Sequence, residues 1–154
     1  MPRLLSPARL AALLFGAALA LPAFAAAPSC EQVVARFASQ TQARLDRAEL
    51  VDTLRSLGQS GRLPAKFVTK RQARDAGWKP GKPLWKVPGL EGKAIGGDRF
   101  GNFEQRLPSG QWQEADLGYQ GGKRGAQRLV FGRDGRRFVT VDHYQTFREV
   151  PACQ

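Results

Sequence analysis

Apolar residues recur at helical spacing through the first third of the chain and give way to short alternating runs after Lys93, so helices followed by a sheet are predicted. Ser29-Cys30-Glu31-Gln32 has the form of a capping box, and Val33, Val34 and Phe37 follow on one helical face. Leu50, Leu54 and Leu57 continue the stripe until Gly58 and Gly61 are expected to stop it. Thr69-Lys70-Arg71-Gln72 is a second capping box, opening a short helix that ends at Gly77. Trp78 to Gly92 is rich in Pro, Gly and Lys and reads as loop, with one helical turn around Leu84-Trp85. Strands are predicted at 112–119, 126–131, 137–141 and 144–150. The fold class that follows is α+β, with N-terminal helices packed on a twisted antiparallel β-sheet.

Turn chemistry suggests a register. Asp134-Gly135 read as a two-residue hairpin turn sets Phe131 opposite Phe138, Val130 opposite Val139 and Arg128 opposite Val141. His143 then follows two residues further along the face of Arg128 if the strand persists. A three-residue loop at Gln120-Gly121-Gly122 would put Glu114 opposite Arg128, gathering a carboxylate, a guanidinium and an imidazole on one face. A loop one residue longer would turn Glu114 to the other face.

The first residues read as an address rather than as part of the fold. Arg3 and Arg9 form a positive region, Leu10 to Leu21 an apolar stretch, and Ala23-Phe24-Ala25 a small-x-small cleavage signal. As a helix the apolar stretch is about 18 Å long, short of the ~30 Å hydrocarbon layer, so a cleaved leader is expected rather than an anchor. This gives residues 1–25 as signal peptide, 26–46 as a helical extension and 47–154 as the main domain. The protein is expected to be secreted, to the periplasm or the medium, and monomeric, with no membrane attachment in its mature form. In an oxidising compartment Cys30 and Cys153 are expected to form one disulfide, the alternative being two free or intermolecular thiols. One histidine and two distant cysteines do not make a zinc site.

Charge narrows the partner. The 154 residues carry 24 Lys and Arg against 13 Asp and Glu, and the excess persists without Arg3 and Arg9. Such an excess implies a polyanionic partner or an acidic surface, without separating nucleic acid from membrane.

Leu63-Pro64, Thr69-Lys70, Gly77-Trp78, Ile95-Gly96-Gly97-Asp98-Arg99-Phe100, Asn102, Glu104, Leu107-Pro108, Trp112-Gln113-Glu114-Ala115-Asp116 and Asp142-His143-Tyr144-Gln145-Thr146-Phe147 occur in that order. The series resembles the barnase-like family of secreted bacterial guanyl-specific ribonucleases over about Leu50 to Val150. The resemblance implies an endoribonuclease that cuts single-stranded RNA on the 3′ side of guanosine through a 2′,3′-cyclic phosphate, with neither metal nor cofactor.

By that resemblance Glu114 is the general base and His143 the general acid, while Lys70, Arg124 and Arg128 hold the reacting phosphate. Each role suits its residue: a carboxylate starting near pKa ~4.3 accepts a proton at mild pH, and an imidazole near ~6.5 can give one. Phe100, Gly101, Asn102, Phe103 and Glu104 correspond to the guanine-reading loop, with Glu104 as the carboxylate facing guanine N1–H and N2–H, and Tyr144 as a further substrate contact. Asp98 reads as a structural acid bracing the basic site. Gly101 and Phe103 depart from the family's serine and arginine. That arginine helps grip the barstar-like protein inhibitor, so the resemblance implies such a partner with one contact missing. The competing classes are a basic RNA-binding or antimicrobial protein without catalytic activity, and a toxin domain, which would need a delivery module.

Overall fold

The computed structural model describes residues 26–42 and 44–154. The leader expected at 1–25 lies outside the described residues.

Helix α1 (Cys30–Thr41) begins where the sequence placed it, with Ser29 and Gln32 closing a reciprocal capping box that satisfies two N-terminal N–H groups. Its apolar stripe buries Val33, Val34 and Phe37. Helix α2 (Arg47–Ser60) is capped by Asp46, whose side chain accepts from the Glu49 N–H, and ends at Gly61 in the left-handed conformation with φ +67°. Gly58 does not stop the helix as expected. It lies inside α2, where the added Cβ of any other residue would sit 3.6 Å from the Cys153 carbonyl. Helix α3 (Lys70–Asp75) carries the second capping box, between Thr69 and Gln72, and the helical turn expected around Leu84-Trp85 forms as a 3₁₀ turn, Leu84–Lys86.

Among the described residues six strands follow one another across the sheet in chain order: β1 (Phe67–Val68), β2 (Ala94–Phe100), β3 (Trp112–Asp116), β4 (Arg128–Gly132), β5 (Arg137–Thr140) and β6 (Arg148–Glu149). β1 pairs with β2 in parallel and every later pair is antiparallel. The fold is thus α+β as expected, with a mixed rather than purely antiparallel sheet. Helices α1 and α2 cover one face, where Leu50, Leu54, Ala115, Leu129 and Val139 form the main core. Leu50 and Leu54 are fully buried, so truncating either to Ala is worth about 2–5 kcal/mol. On the other face Trp112, Val130 and Phe138 pack together.

The register differs from the sequence reading in two places. At the β4–β5 turn, Phe131 faces Arg137, Val130 faces Phe138 and Arg128 faces Thr140, one residue away from the expected pairing. Gly132 N–H bonds to the Arg136 carbonyl and Gly135 sits at φ +85°, so the loop holds three residues, Arg133 to Gly135, and not two. Between β3 and β4 no tight turn forms at Gln120–Gly122. The chain makes a long connection, residues 117–127, and sets Asp116 opposite Arg128 and Glu114 opposite Val130. Tyr119 organises it: its hydroxyl accepts from the Leu84 N–H at 2.8 Å and donates to the Gly122 carbonyl at 2.9 Å. The ring of Trp85 lies against Gly121 so closely that a Cβ there would be 2.3 Å from it.

Cys30 and Cys153 form the expected disulfide, tying the start of α1 to the end of the chain across 123 positions. The Cys30 N–H donates to the Gln154 carbonyl beside it.

Candidate active site

Alternation along β3 aims Trp112, Glu114 and Asp116 at the face away from α1 and α2, and the β4 register brings Arg128 and Val130 to the same face. Glu114 and Arg128 are therefore diagonal neighbours across two strands rather than directly opposite. The face expected for Glu114 is correct, since the actual register is displaced from the expected one by an even number of residues.

Asp116 is the buried centre of the basic cluster, with its side chain 3 % exposed. Arg124 engages it through Nε at 2.6 Å and Nη2 at 2.7 Å, and Arg128 adds its own Nε at 2.9 Å. The Arg124–Asp116 hydrogen bonds hold the Arg124 guanidinium above the usual arginine pKa. Arg128 also donates Nη1 to the carbonyls of Gly125 and Gln127. Among the described residues its Nη2 alone is left without a protein acceptor.

Glu114 is also buried, its side chain 8 % exposed, and each carboxylate oxygen has a partner. Lys70 Nζ lies 3.1 Å from Oε1, and the Tyr144 hydroxyl donates to Oε2 at 2.6 Å. Lys70 is the first residue of α3, and its backbone N–H donates to Asp98 Oδ2 at 2.9 Å. A bulge at Gly97, φ +94°, shifts β2 so that Asp98 pairs with Glu114. Asp98 therefore braces the basic site by fixing the helix start that carries Lys70.

Tyr144 links the parts. Its hydroxyl accepts from Arg128 Nε at 3.1 Å while donating to Glu114, and its ring stacks on Phe100 with centroids 5.4 Å apart. Burial and the Glu114 carboxylate push its pKa up to about 12, so it remains a donor at neutral pH.

His143 reaches the site by a turn, not by strand alternation. β5 ends at Thr140, and the strand expected over 144–150 is reduced to Arg148–Glu149. Asp142 shapes the turn, accepting from the Thr146 hydroxyl at 2.6 Å, the Thr146 N–H at 2.9 Å and the Thr140 hydroxyl at 2.9 Å. Those bonds hold the Asp142 carboxyl down at about 2. Within the turn His143 and Tyr144 take left-handed φ values of 58° and 70°. His143 is exposed, and its ring centroid lies 5.4 Å from that of Tyr144. Tyr144 thus touches both catalytic candidates, its hydroxyl on the Glu114 carboxylate and its ring beside the imidazole.

A cleft of about 300 Å³ joins Glu114 and Tyr144 to the expected base-reading loop, Phe100 to Glu104, while Lys70, Arg124, Arg128 and His143 do not line it. The Asn102 amide is turned inward, donating to the Leu107 carbonyl at 2.8 Å and accepting from the Leu107 N–H at 3.0 Å. Its side chain therefore shapes the loop. Phe103 is 95 % exposed and folds back over Gly101, where an added Cβ would sit 2.2 Å from the ring. Gly101 and Phe103, the two departures from the family pattern, are thereby one local arrangement. Glu104 is held by Arg106 Nε at 2.5 Å, and Arg106 Nη1 donates to the Gln145 carbonyl at 2.6 Å, joining the loop to the turn of His143.

Sequence reasoning assigned no role to Asp116, Asp142 or Arg106. The first two stand inside the motifs that carry the family resemblance, which was the available signal. Arg106 had none, because its two acceptors are brought to it by separate loops.

A family model described as ribonuclease matches residues 51–151. A ribonuclease of Heyndrickxia coagulans is 46 % identical over 93 residues, covering 58 % of this chain and 84 % of that relative. Ribonucleases of Bacillus intermedius and Bacillus pumilus match equally well over 93 residues, but the match covers 56 % of their length, so this chain spans just over half of each.

Proposed function

The chain belongs to the ribonuclease family, and from that premise we propose that it is a guanyl-preferring endoribonuclease cleaving single-stranded RNA by transphosphorylation. The observation that carries the reading is the buried Glu114 carboxylate, held between Lys70 and Tyr144 on the face that bears Arg128.

Glu114 takes the proton from the ribose 2′-hydroxyl. The 2′-oxygen bonds to phosphorus, the bond to the 5′-oxygen breaks, and the His143 imidazolium gives that oxygen its proton. Lys70, Arg124 and Arg128 surround the phosphorane, with the free nitrogens of the two arginines available to its oxygens. In hydrolysis of the 2′,3′-cyclic phosphate the roles reverse, with His143 taking a proton from water and Glu114 returning one to the 2′-oxygen. Protons balance between these two residues, so the step as written draws on no metal. Guanine is read by the loop from Phe100 to Glu104, its N1–H and N2–H meeting the Glu104 carboxylate.

The proposal extends to the rest of the chain: a leader over 1–25 removed on export, a helical extension over 26–46, a ribonuclease domain over 47–154, a monomeric secreted enzyme, and a barstar-like inhibitor as a partner class. Product analysis on a defined oligoribonucleotide with a chelator present tests the chemistry. Guanosine 2′,3′-cyclic phosphate ends and an intact DNA control are expected. Binding without cleavage, activity abolished by the chelator, or equal cleavage of DNA would overturn the mechanism.

A further inference from the structure

The active-site cleft is not the only basic concavity among the described residues. On the opposite face of the sheet Arg99, Gln113, Phe131 and Arg137 form a row through β2, β3, β4 and β5, each paired with the next. At roughly 4.8 Å per strand the row is about 14 Å long. Where it meets the end of α2 and the β4–β5 turn, a cleft of about 190 Å³ opens, lined by both Arg133 and Arg137. A second, of about 390 Å³, shares Gln113 and Arg133 with it and Arg99 with the active-site cleft. β1 covers β2 only at Ala94 and Ile95, so Arg99 lies on an edge where the two faces of the sheet meet.

Arg137 makes this surface unusual. It is 7 % exposed, and its pKa is lowered by burial with no carboxylate among the described residues to offset it. Arg128, also buried, shares Asp116 with Arg124, and the neighbouring Arg136 pairs with Glu149 at 3.0 Å. No acidic residue lines either back cleft. The end of α2 lies close, with the Cβ position of Gly58 3.7 Å from Arg137 Nη2. The partial negative charge there, about half an elementary charge, offsets only part of a guanidinium. A sunken, unpaired cation is stabilised further by a mobile anion.

We infer that the two back clefts form a phosphate-binding track for RNA, with Arg99 leading the strand round the sheet edge from the active site to Arg133 and Arg137. This rests on the RNA-cleaving reading above, and the test separates the two. Cleavage of guanylyl-(3′,5′)-uridine by the unaltered protein, a substrate too short to reach Arg137, examines the active site alone. The track is examined by fluorescence anisotropy with a non-cleavable 2′-O-methyl oligonucleotide of about twelve residues, titrated across salt concentrations. Arg133→Ala should weaken binding about three- to tenfold and flatten the log–log salt dependence by about 0.7, and Arg133→Ala/Arg137→Met by about 1.4. Arg136→Ala removes the same charge from a residue already paired, and should change affinity less than about twofold. Unaltered affinity and salt slope in Arg133→Ala would overturn the track even if the double variant failed to fold. Equal weakening by Arg136→Ala would overturn it too, since net charge alone would then account for the effect.

Discussion

Asp116 offers the sharpest test of how the basic site is held together. Replacing it with Ala leaves the Arg128 side chain, 3 % exposed, without its carboxylate, while Arg124, 27 % exposed, can turn to water. An intact buried pair contributes little net stability, because desolvation of both charges offsets their attraction. Removing one partner is another matter, costing about 3–5 kcal/mol through the charge left behind. At an m-value of about 2 kcal/mol per M, the urea midpoint of Asp116→Ala should fall by about 2 M with the slope unchanged. The coupling gives a second reading: Asp116→Ala/Arg128→Met should be no less stable than Asp116→Ala alone, because it removes the stranded charge as well. Equilibrium urea unfolding of these two variants, of Arg128→Met and of the parent measures both. A loss below about 1 kcal/mol for Asp116→Ala, or strictly additive effects, would refute the view that this carboxylate anchors the two guanidinium groups.

Three other outcomes are expected. Glu104→Gln should narrow the ratio of kcat/KM for cleavage after guanosine and after adenosine by about ten- to a hundredfold, the value of a charge-assisted hydrogen bond, as measured on dinucleoside phosphates differing in the 5′ base. The exposed Arg106 pair lost with it is worth little, so an unchanged ratio would show that Glu104 does not read guanine. The depressed Asp142 carboxyl stabilises the fold above its unfolded pKa of ~3.9 and ceases to do so as pH falls through about 2, so Thr146→Val should lower the melting temperature at pH 6 but not near pH 2, as followed by circular dichroism. Reducing the Cys30–Cys153 bond should cost about 5 kcal/mol on the chain-entropy account of a 123-residue separation, and thiol titration of the unfolded, unreduced protein should find no free thiol.

Elements whose signals are local were legible in the sequence. Both capping boxes sit where Ser29 and Thr69 indicated, because a cap is a contact among four consecutive residues. The two turns that fix register were not legible. Asp134-Gly135 fits a two-residue loop as well as the three-residue loop that forms, and the choice depends on Gly132 bonding to Arg136. The Gln120–Gly122 turn was displaced by long-range packing, since Trp85 fills the space at Gly121 and Tyr119 reaches across to Leu84. Glu114 survived these shifts because face depends only on parity. His143 did not, since the path from Thr140 to the imidazole runs through a turn folded by Asp142 rather than along a strand. The roles of Lys70, Glu114 and His143 came from the family resemblance, and composition alone gave no more than a polyanionic partner.

The closure of the chain on itself has a mechanical consequence. Pro28 and Gln154 are hydrogen-bonded to each other, and the sulfur bridge lies immediately inside them. A pull applied at those two residues passes through the bridge and never loads the sheet. A motor drawing the chain in past Gln154 would meet a covalent loop at Cys153 and would have to thread two strands at once or stop. Such a molecule resists unravelling from outside the bridge while that bond is intact, and only its reduction turns the same pull into one that peels strands from the sheet.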